Sequence, residues 1–289
     1  MRKTLVITGH GKLFRKGGRL KVVSQSGLSG IPVKYLDFVA VMGRVSLSGE
    51  AVDLLLNNGI PLFFLSRFGN IKGMLLDGVL KSNYTKRLSQ FEAKQKRGIE
   101  VARRIILLKL EEIEKAFRLD LRDLKVRVPE SINSEELLGL EGEASKRMFS
   151  AFRENIKGCG LRFEGRAYRP PPDEVNAVLS LAYTFAYCLA LPLVIFMGYD
   201  PYISFLHTKR GTHASFCSDI IEPVRPFLTK QLEWILLQKR FEPKDFNRSG
   251  KGVYLNKSGM EKLLKWFESI KEETVERLKE SLIRIGEEI

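Results

Sequence analysis

The sequence predicts an α+β fold, with a small N-terminal β domain in residues 1–80 followed by a larger all-helical domain in residues 91–289. In the first part, short apolar runs alternate with Gly, Asn and Ser, which is typical of strands joined by turns. Residues 91–124, in contrast, lack proline and repeat apolar residues at helical spacing. Residues 81–90 are the predicted linker, and a chain of 289 residues is long enough for two unequal domains.

Five runs rich in apolar, β-branched and aromatic residues are the predicted strands of the first domain. They are TLVIT, GRLKVVS, DFVAVMG, PLFFLS and IKGMLL. One helix is predicted in SGEAVDLLLNNG, where Ser48 or Gly49 is a suitable cap and NNG ends the helix. His10 is expected as a polar residue of a β-turn. Because so small a β domain leaves strand edges exposed, we expect it to form a homodimer.

A helix in the second domain has one carboxylate on its apolar side. NSEELLGLEGEASKRMFSAF begins at Asn133, a suitable N-cap residue, with Glu136 three positions later. At helical spacing Glu141 falls on the apolar stripe, whereas Glu143 falls on the opposite side. A carboxylate that points inward needs a partner. That partner is either a basic side chain or a site shared with His207 and the acids that follow it.

Residues 175–199 contain no charged side chain and are long enough to span a bilayer. Asn176, Ser180 and Tyr183 interrupt this run, and the rest of the chain is highly charged, so a buried core helix is favoured over a membrane span. The first residues contain too few apolar side chains for a signal peptide. The three widely spaced cysteines favour reduced thiols over disulfides. We therefore expect a cytoplasmic protein without a membrane anchor.

The charge of the chain favours nucleic acid or another anionic surface as a partner. It carries 48 Lys and Arg against 34 Asp and Glu, a formal charge of +14. Residues 1–100 hold 17 basic and 6 acidic side chains, and the remainder holds 31 and 28. Around the domain junction the basic residues have few acidic neighbours, which leaves a phosphate-binding surface and a solvated helix face equally open. This group includes Lys94, Arg97, Arg103 and Arg104.

Residues 207–226, HTKRGTHASFCSDIIEPVRP, contain two of the three histidines together with Asp219 and Glu222. Such a segment is either a metal site or a polar turn. A set of Glu, His and a second carboxylate suits Mg²⁺ or Mn²⁺ better than a thiolate-binding metal. Pro223 biases Glu222 away from helical angles, so Glu222 is expected at a backbone irregularity.

Four segments, in this order along the chain, resemble the signatures of the CRISPR-associated adaptation integrase, the "Cas one" endonuclease family. They are LLGLEGEASKRMF, RPPPDEVNAVLSLAYT, GYDPYISFLH and HASFCSDIIEPVRP. The resemblance covers nearly the whole chain and implies the same two-domain fold. It implies a divalent ion, Mg²⁺ or Mn²⁺, held by Glu141, His207 and Glu222, so that His207 and not His213 is the ligand. Further residues on the family pattern are Ser215, Asp219, Arg225 and Pro226.

The resemblance also implies an activity, which is metal-dependent cleavage of DNA and insertion of spacer DNA into a CRISPR array. A 3′-hydroxyl would attack a phosphodiester, and Asp219, Lys209 and His213 are the open choices for the proton acceptor. Arg166 and Arg169 resemble DNA-facing residues, and Lys209 and Arg225 are further expected DNA contacts. The implied partners are DNA, a second copy of the chain and a small "Cas two" protein. From charge alone, the alternative is a non-catalytic architectural DNA-binding protein.

Overall fold

The structure is a computed structural model that describes residues 2–24, 27–66, 69–77, 84–167, 170–207, 213–250 and 252–289. It divides into two compact units, Met1–Leu80 and Lys81–Ile289. Strands form most of the first unit and helices most of the second, which confirms the α+β fold class. The division falls after Leu80, where the sequence places the end of the β domain.

Within the described ranges, the first unit is a six-stranded sheet with one helix. Its elements are β1 (Lys3–Lys16), β2 (Arg19–Ser24), β3 (Gly27–Pro32), β4 (Leu36–Leu47), α1 (Gly49–Leu56), β5 (Leu62–Leu65) and β6 (Ile71–Leu75). The strand order is β3-β2-β1-β4-β5-β6. Strand β4 runs parallel to β1 and β5, and the other pairs are antiparallel. Apolar residues of β1, β4 and α1 form the core of this unit.

Strand β1 is longer than the sequence predicts. Two glycines allow it to pair with β4 over most of its length. Gly9 has a left-handed φ of +84° and lies opposite Gly43. A Cβ at Gly43 would overlap the carbonyl oxygen of Gly9, so the close approach of the two strands requires glycine there. His10 follows within the same strand, opposite Arg44, and not in the β-turn that we expected. Strand β3 was not predicted because GLSGIP contains few β-branched residues.

In its described residues, the second unit is a helical assembly with one small hairpin. Its helices are α2 (Tyr84–Lys96), α3 (Gly98–Phe117), α4 (Arg122–Lys125), α5 (Ser134–Asn155), α6 (Glu174–Phe196), α7 (Ser215–Ile221), α8 (Arg225–Leu237) and α9 (Lys257–Gly286). Because α2 begins at Tyr84, residues 84–90 are helical and do not belong to a linker. The hairpin, β7 (Phe246–Ser249) and β8 (Gly252–Leu255), corrects the expectation of an all-helical domain. Its four-residue strands are too short for a clear alternating pattern.

Helix α6 lies at the centre of the second unit. Among the described residues it is the one helix that is long and apolar enough to cross a membrane. However, 67% of its most apolar 18-residue stretch is buried inside the protein. It packs against α7, α8 and α9. Its first turn is capped by Asp173, which accepts a hydrogen bond from the Asn176 amide at 2.7 Å. These contacts support the core helix that the sequence favours.

Helix α3 brings a charged side chain into the same interior. It packs against α5, α8 and the 3₁₀ turn Glu222–Val224 that joins α7 to α8. Its buried stripe includes Ile105, Lys109 and Ile113, which are four residues apart. Lys109 is thus a buried cation between apolar neighbours.

The edges of the sheet predict where two copies of the chain meet. Strands β3 and β6 are the edges of the described sheet, and Leu28 of β3 is 64% exposed. Exposed strand edges pair readily with another chain. We therefore expect the full chain to be dimeric, and a chain without residues 1–80 to be monomeric, by light scattering at micromolar concentration.

A matched pair of substitutions tests the same prediction in the full chain. Leu28→Lys is expected to shift the protein toward monomer. Ile283→Lys replaces an apolar residue of α9 that is 51% exposed, and it is expected to leave the dimer intact. A dimer that survives deletion of residues 1–80 would contradict the prediction.

Candidate active site

A buried lysine joins two glutamates where α3, α5 and the 3₁₀ turn meet. The ammonium of Lys109 donates to Oε1 of Glu141 and, at 2.7 Å, to Oε2 of Glu222. The side chain of Lys109 is 2% exposed and that of Glu222 is 0% exposed, while Glu141 is 19% exposed. The site is therefore almost closed on the side of Lys109 and reaches solvent on the side of Glu141.

The apolar stripe of α5 determines which of its carboxylates enters the site. Leu137, Ala144 and Met148 are buried on one side of this helix, and Glu141 lies among them. Its Oε1 also accepts a hydrogen bond from the hydroxyl of Ser145 at 2.7 Å. Glu143 lies on the outer side, where it is paired with Arg147 at 2.6 Å and with Arg127 at 3.2 Å. The inward and outward orientations are those that the helical spacing predicts.

Glu222 lies at an irregular joint between two helices. Helix α7 ends at Ile221, and Glu222 begins the 3₁₀ turn that leads into α8. Contrary to our expectation, Glu222 keeps helical angles, with φ −52° and ψ −48°. The irregularity is in the hydrogen bonds, because Pro223 has no N–H to donate and the chain tightens into a 3₁₀ turn. Arg225, three residues later, lies 3.0 Å from Oε1 of Glu222.

Asp219 holds His207 and the backbone around it. Asp219 is completely buried, and Oδ2 accepts the amides of Phe205 and Leu206 at 2.7 and 3.2 Å. Its Oδ1 accepts the amide of His207 at 3.0 Å and pairs with Nδ1 of the imidazole at 2.8 Å. These four bonds use the acceptor capacity of the carboxylate, so Asp219 positions His207 and does not fit the proton acceptor that we considered.

The fixed imidazole presents its second nitrogen to Glu222. Nε2 of His207 lies 3.4 Å from Oε1 of Glu222, and the side chain of His207 is 17% exposed. When Nδ1 donates its proton to Asp219, Nε2 carries the free lone pair, which is the form that binds a metal. Glu222 is thus the common neighbour of Lys109 and His207.

The charges in the site keep both glutamates ionised. Burial favours the neutral form of Glu222, but the charges of Arg225 and Lys109 outweigh burial and lower its pKa to about 2. Burial opposes ionisation of Glu141 too, yet the charge of Lys109 lowers its pKa. For Lys109, burial disfavours the ammonium, but the two carboxylates outweigh it and raise the pKa.

Glu141, Glu222 and His207 are residue types that bind divalent cations, but their side chains are not spaced as the ligands of one ion. Oε1 of Glu222 is buried and accepts no hydrogen bond of ordinary geometry, although Arg225 and His207 lie within 3.4 Å of it. Two carboxylates and an imidazole are ligands that Mg²⁺ or Mn²⁺ accepts. In the part of the chain that the structure describes, no three such side chains already have the spacing of a metal site. A cation, Lys109, is bound by both carboxylates.

Two predicted DNA contacts meet on one aromatic ring beside Glu222. The guanidinium groups of Arg166 and Arg225 lie 5.5 and 5.2 Å from the centre of the Tyr183 ring. The hydroxyl of Tyr183 is hydrogen bonded to Thr229 at 2.7 Å, which fixes the ring. Arg225 is 31% exposed, so this cationic surface next to Glu222 is open to an anion.

The other predicted DNA contacts differ in their surroundings. Lys94 is half-buried with its ammonium 5.8 Å from the ring centre of Phe205, and burial lowers its pKa. Arg97 is exposed and donates to the backbone carbonyl of Ile289 at 3.1 Å. Arg169 and Lys209 lie outside the described residues.

Arg103 and His213 are held by bonds within the protein, and Arg104 lies partly buried beside Arg103 on α3. Arg103 donates twice to the carbonyl oxygen of Ser131, at 2.8 and 3.3 Å, and Arg104 is half-buried. His213 stacks on Tyr187, with ring centres 5.3 Å apart, and its Nε2 is 2.8 Å from the hydroxyl of Ser218. These bonds give Arg103 and His213 structural roles.

Lys109 belongs to the candidate site but was not among the residues that the sequence predicted for it. It occupies a position on the apolar stripe of α3, where a lysine is as unusual as the inward glutamate of α5. The basic side chain that we considered as a partner for Glu141 is this one. A lysine and a glutamate that both lie on apolar stripes, Lys109 on α3 and Glu141 on α5, could have been predicted as an ion pair from the sequence.

Comparisons with known proteins agree on one family. A model of the family described as CRISPR associated protein Cas1 matches residues 5–269. A CRISPR-associated endonuclease Cas1 from Thermus thermophilus is 30% identical over 276 residues, which cover 92% of this chain and 85% of the relative. The solved structure of a CAS1 protein from Thermotoga maritima is similar with a TM-score of 0.88 at 25% identity, over 98% of this chain and 96% of that chain. A Cas6-RT-Cas1–Cas2 complex shares the fold, with a TM-score of 0.80 at 18% identity over 99% of this chain and 35% of that chain.

The lowered pKa of Glu222 predicts a pH dependence of stability. Since its pKa falls from 4.5 to about 2 on folding, ionised Glu222 stabilises the folded protein above pH 4.5, and this contribution is lost as the pH falls toward 2. In EDTA, Glu222→Gln is expected to unfold at a lower temperature than wild type at pH 7, with the gap narrowing between pH 5 and 3. Glu130→Gln, at an exposed carboxylate, is the control and should follow wild type. A gap that does not change with pH would contradict the assignment.

Proposed function

Because the chain belongs to the family of the CRISPR associated protein Cas1, we propose that it is a metal-dependent DNA endonuclease and strand-transfer enzyme that inserts spacer DNA into a CRISPR array. The observation that carries the catalytic part of this proposal is the meeting of Glu141, His207 and Glu222 around Lys109 and Arg225. The relative from Thermus thermophilus is named an endonuclease, which supports the same reaction class.

Glu141, Glu222 and Nε2 of His207 would hold the divalent ion, Mg²⁺ or Mn²⁺. When bound, such an ion polarises a phosphodiester and neutralises the charge that develops on its oxygens. Asp219 keeps the imidazole in the orientation that directs Nε2 toward Glu222. Glu141 on α5 and Glu222 on the 3₁₀ turn belong to packed elements, so their side chains, which are now bonded to Lys109, would have to move to reach the spacing of metal ligands.

The arginines beside Glu222 would bind the phosphate that reacts. Arg225 is partly exposed beside Glu222, and Arg166 lies on the same Tyr183 ring, where its Nη1 donates to Asn176 and Ser180. Guanidinium groups bind phosphate oxygens through charge-assisted hydrogen bonds. A 3′-hydroxyl that attacks the phosphorus forms the new phosphodiester and expels the 3′-oxygen of the cut strand. With water as the nucleophile, the same displacement is hydrolysis.

The proposal includes the partners of the chain. They are DNA, a second copy of the chain held through the β unit, and a small Cas2 protein, acting in the cytoplasm. The fold shared with 35% of a chain in a Cas6-RT-Cas1–Cas2 complex supports the Cas2 partner. The formal charge of +14 supports DNA.

The test is joining of a short DNA duplex into a supercoiled plasmid with Mn²⁺, with and without the Cas2 partner. Alanine at Glu141, His207 or Glu222 is expected to reduce cleavage and joining by orders of magnitude, because alignment and charge neutralisation are lost together. The affinity for DNA should change little, since the basic contacts remain. Glu143→Ala and His213→Ala are the controls and should keep substantial activity.

Two results would contradict this function. Full joining activity in Glu141→Ala or Glu222→Ala would remove these residues from the reaction. Wild-type protein that binds DNA in EDTA but neither cuts nor joins it with any divalent ion would favour the architectural DNA-binding alternative.

The surroundings of the basic residues predict how each contributes to DNA binding. Replacing Lys94, Lys96 and Arg97 together by Gln should lower the slope of log Kd against log salt by about 0.9 for each phosphate that the variant no longer neutralises. Arg103→Gln should leave that slope unchanged, because Arg103 is bound to the Ser131 carbonyl. Fluorescence anisotropy of a labelled duplex in EDTA measures both slopes. If Arg103→Gln flattens the slope and the triple variant does not, the phosphate-binding residues are not Lys94, Lys96 and Arg97.

A further inference from the structure

The most buried cation of the site is not one of the expected ligands or DNA contacts. Lys109 comes from the middle of α3, and its side chain is 2% exposed. Its ammonium contacts a carboxylate of α5 on one side and a carboxylate of the 3₁₀ turn on the other. No cation from bulk water could occupy this position without displacing it.

These contacts balance charge in the absence of any metal. Glu141 and Glu222 carry two negative charges, and Lys109 and Arg225 supply two positive charges at hydrogen-bond distance or in close ion pairs. A buried charge is destabilising unless it is paired, so each of these groups depends on the others. The metal-free protein therefore has a compensated, assembled site.

A divalent ion bound by the same carboxylates would meet this ammonium. The ion needs lone pairs of Glu141 and Glu222, and Lys109 already bonds to one oxygen of each. The two cations repel each other at short range, and little water is present to screen them. An ion at Oε1 of Glu222 and Nε2 of His207 would lie beside the ammonium that is bonded to Oε2, so the two cations compete for the charge of the same carboxylates.

We propose that Lys109 is a positioning residue that holds Glu141 and Glu222 together in the metal-free protein and competes with the divalent ion for them. This inference rests on the proposed metal site. In this proposal the ammonium of Lys109 is the counterion of the two carboxylates in the metal-free protein. It keeps the two negative charges close together, and it weakens the binding of a divalent ion, which must displace the ammonium.

The test measures Mn²⁺ binding to the full chain without DNA, by the electron paramagnetic resonance signal of free Mn²⁺. Lys109→Met removes the charge and keeps the length of the side chain, and it is expected to lower the Kd for Mn²⁺ on the order of tenfold. Lys109→Arg keeps a competing charge and should bind Mn²⁺ about as weakly as wild type. Lys115→Met removes a lysine of the same helix that is 63% exposed, and it should not change the Kd.

Thermal unfolding gives a second readout. In EDTA, Lys109→Met should unfold at a lower temperature than wild type, and Mn²⁺ should raise its unfolding temperature by more than it raises that of wild type. A variant that is unfolded in EDTA but folds with Mn²⁺ would support the proposal too, because the ion then replaces the missing charge. A variant that stays unfolded with Mn²⁺, or one that is folded with an unchanged or higher Kd, would overturn it.

The outcomes separate this proposal from the proposed function. If neither wild type nor Lys109→Met binds Mn²⁺, the metal part of the proposed function fails. If wild type binds Mn²⁺ through Glu141 and Glu222, and Lys109→Met binds it no better, only the competition fails.

Discussion

The pairing of one buried ammonium with two carboxylates is the constraint on which the candidate active site depends. Lys109, Glu141 and Glu222 come from three different elements, and each would be destabilising in the interior without the others. Their contacts therefore tie α3, α5 and the 3₁₀ turn together at one point. A small displacement of any of these elements separates charges that little water can reach, so the site is held rigidly even without a bound ion.

A second carboxylate network extends this rigidity to the imidazole. Asp219 uses both oxygens to bind three successive amides and the imidazole of His207, so a segment without regular secondary structure acquires a defined conformation. Buried polar groups that are fully satisfied in this way specify a single arrangement. The two acids of the segment thus make different contacts, since Glu222 faces Lys109 and Nε2 of His207, whereas Asp219 is bonded to the amides and the imidazole.

The cationic surface and the acidic pair are separate but adjacent. Arg166 and Arg225 both lie against the ring of Tyr183, and Arg225 contacts Glu222 as well. An anion bound at the arginines therefore lies next to the carboxylates that would hold a cation. This arrangement suits a phosphodiester, which needs positive charge on its oxygens and an ion at its reacting centre.

The sequence by itself determined the two-part fold, the central helix and the inward direction of Glu141, because strand runs, an uncharged apolar segment and helical spacing are local patterns. The resemblance of four ordered segments added the candidate ligands. Only the tertiary structure decided that Lys109 joins Glu141 to Glu222, that Asp219 supports His207, and that Arg103 is bound to a carbonyl. These are contacts between residues far apart in the chain, and spacing along one element says which way a side chain points but not which element it meets.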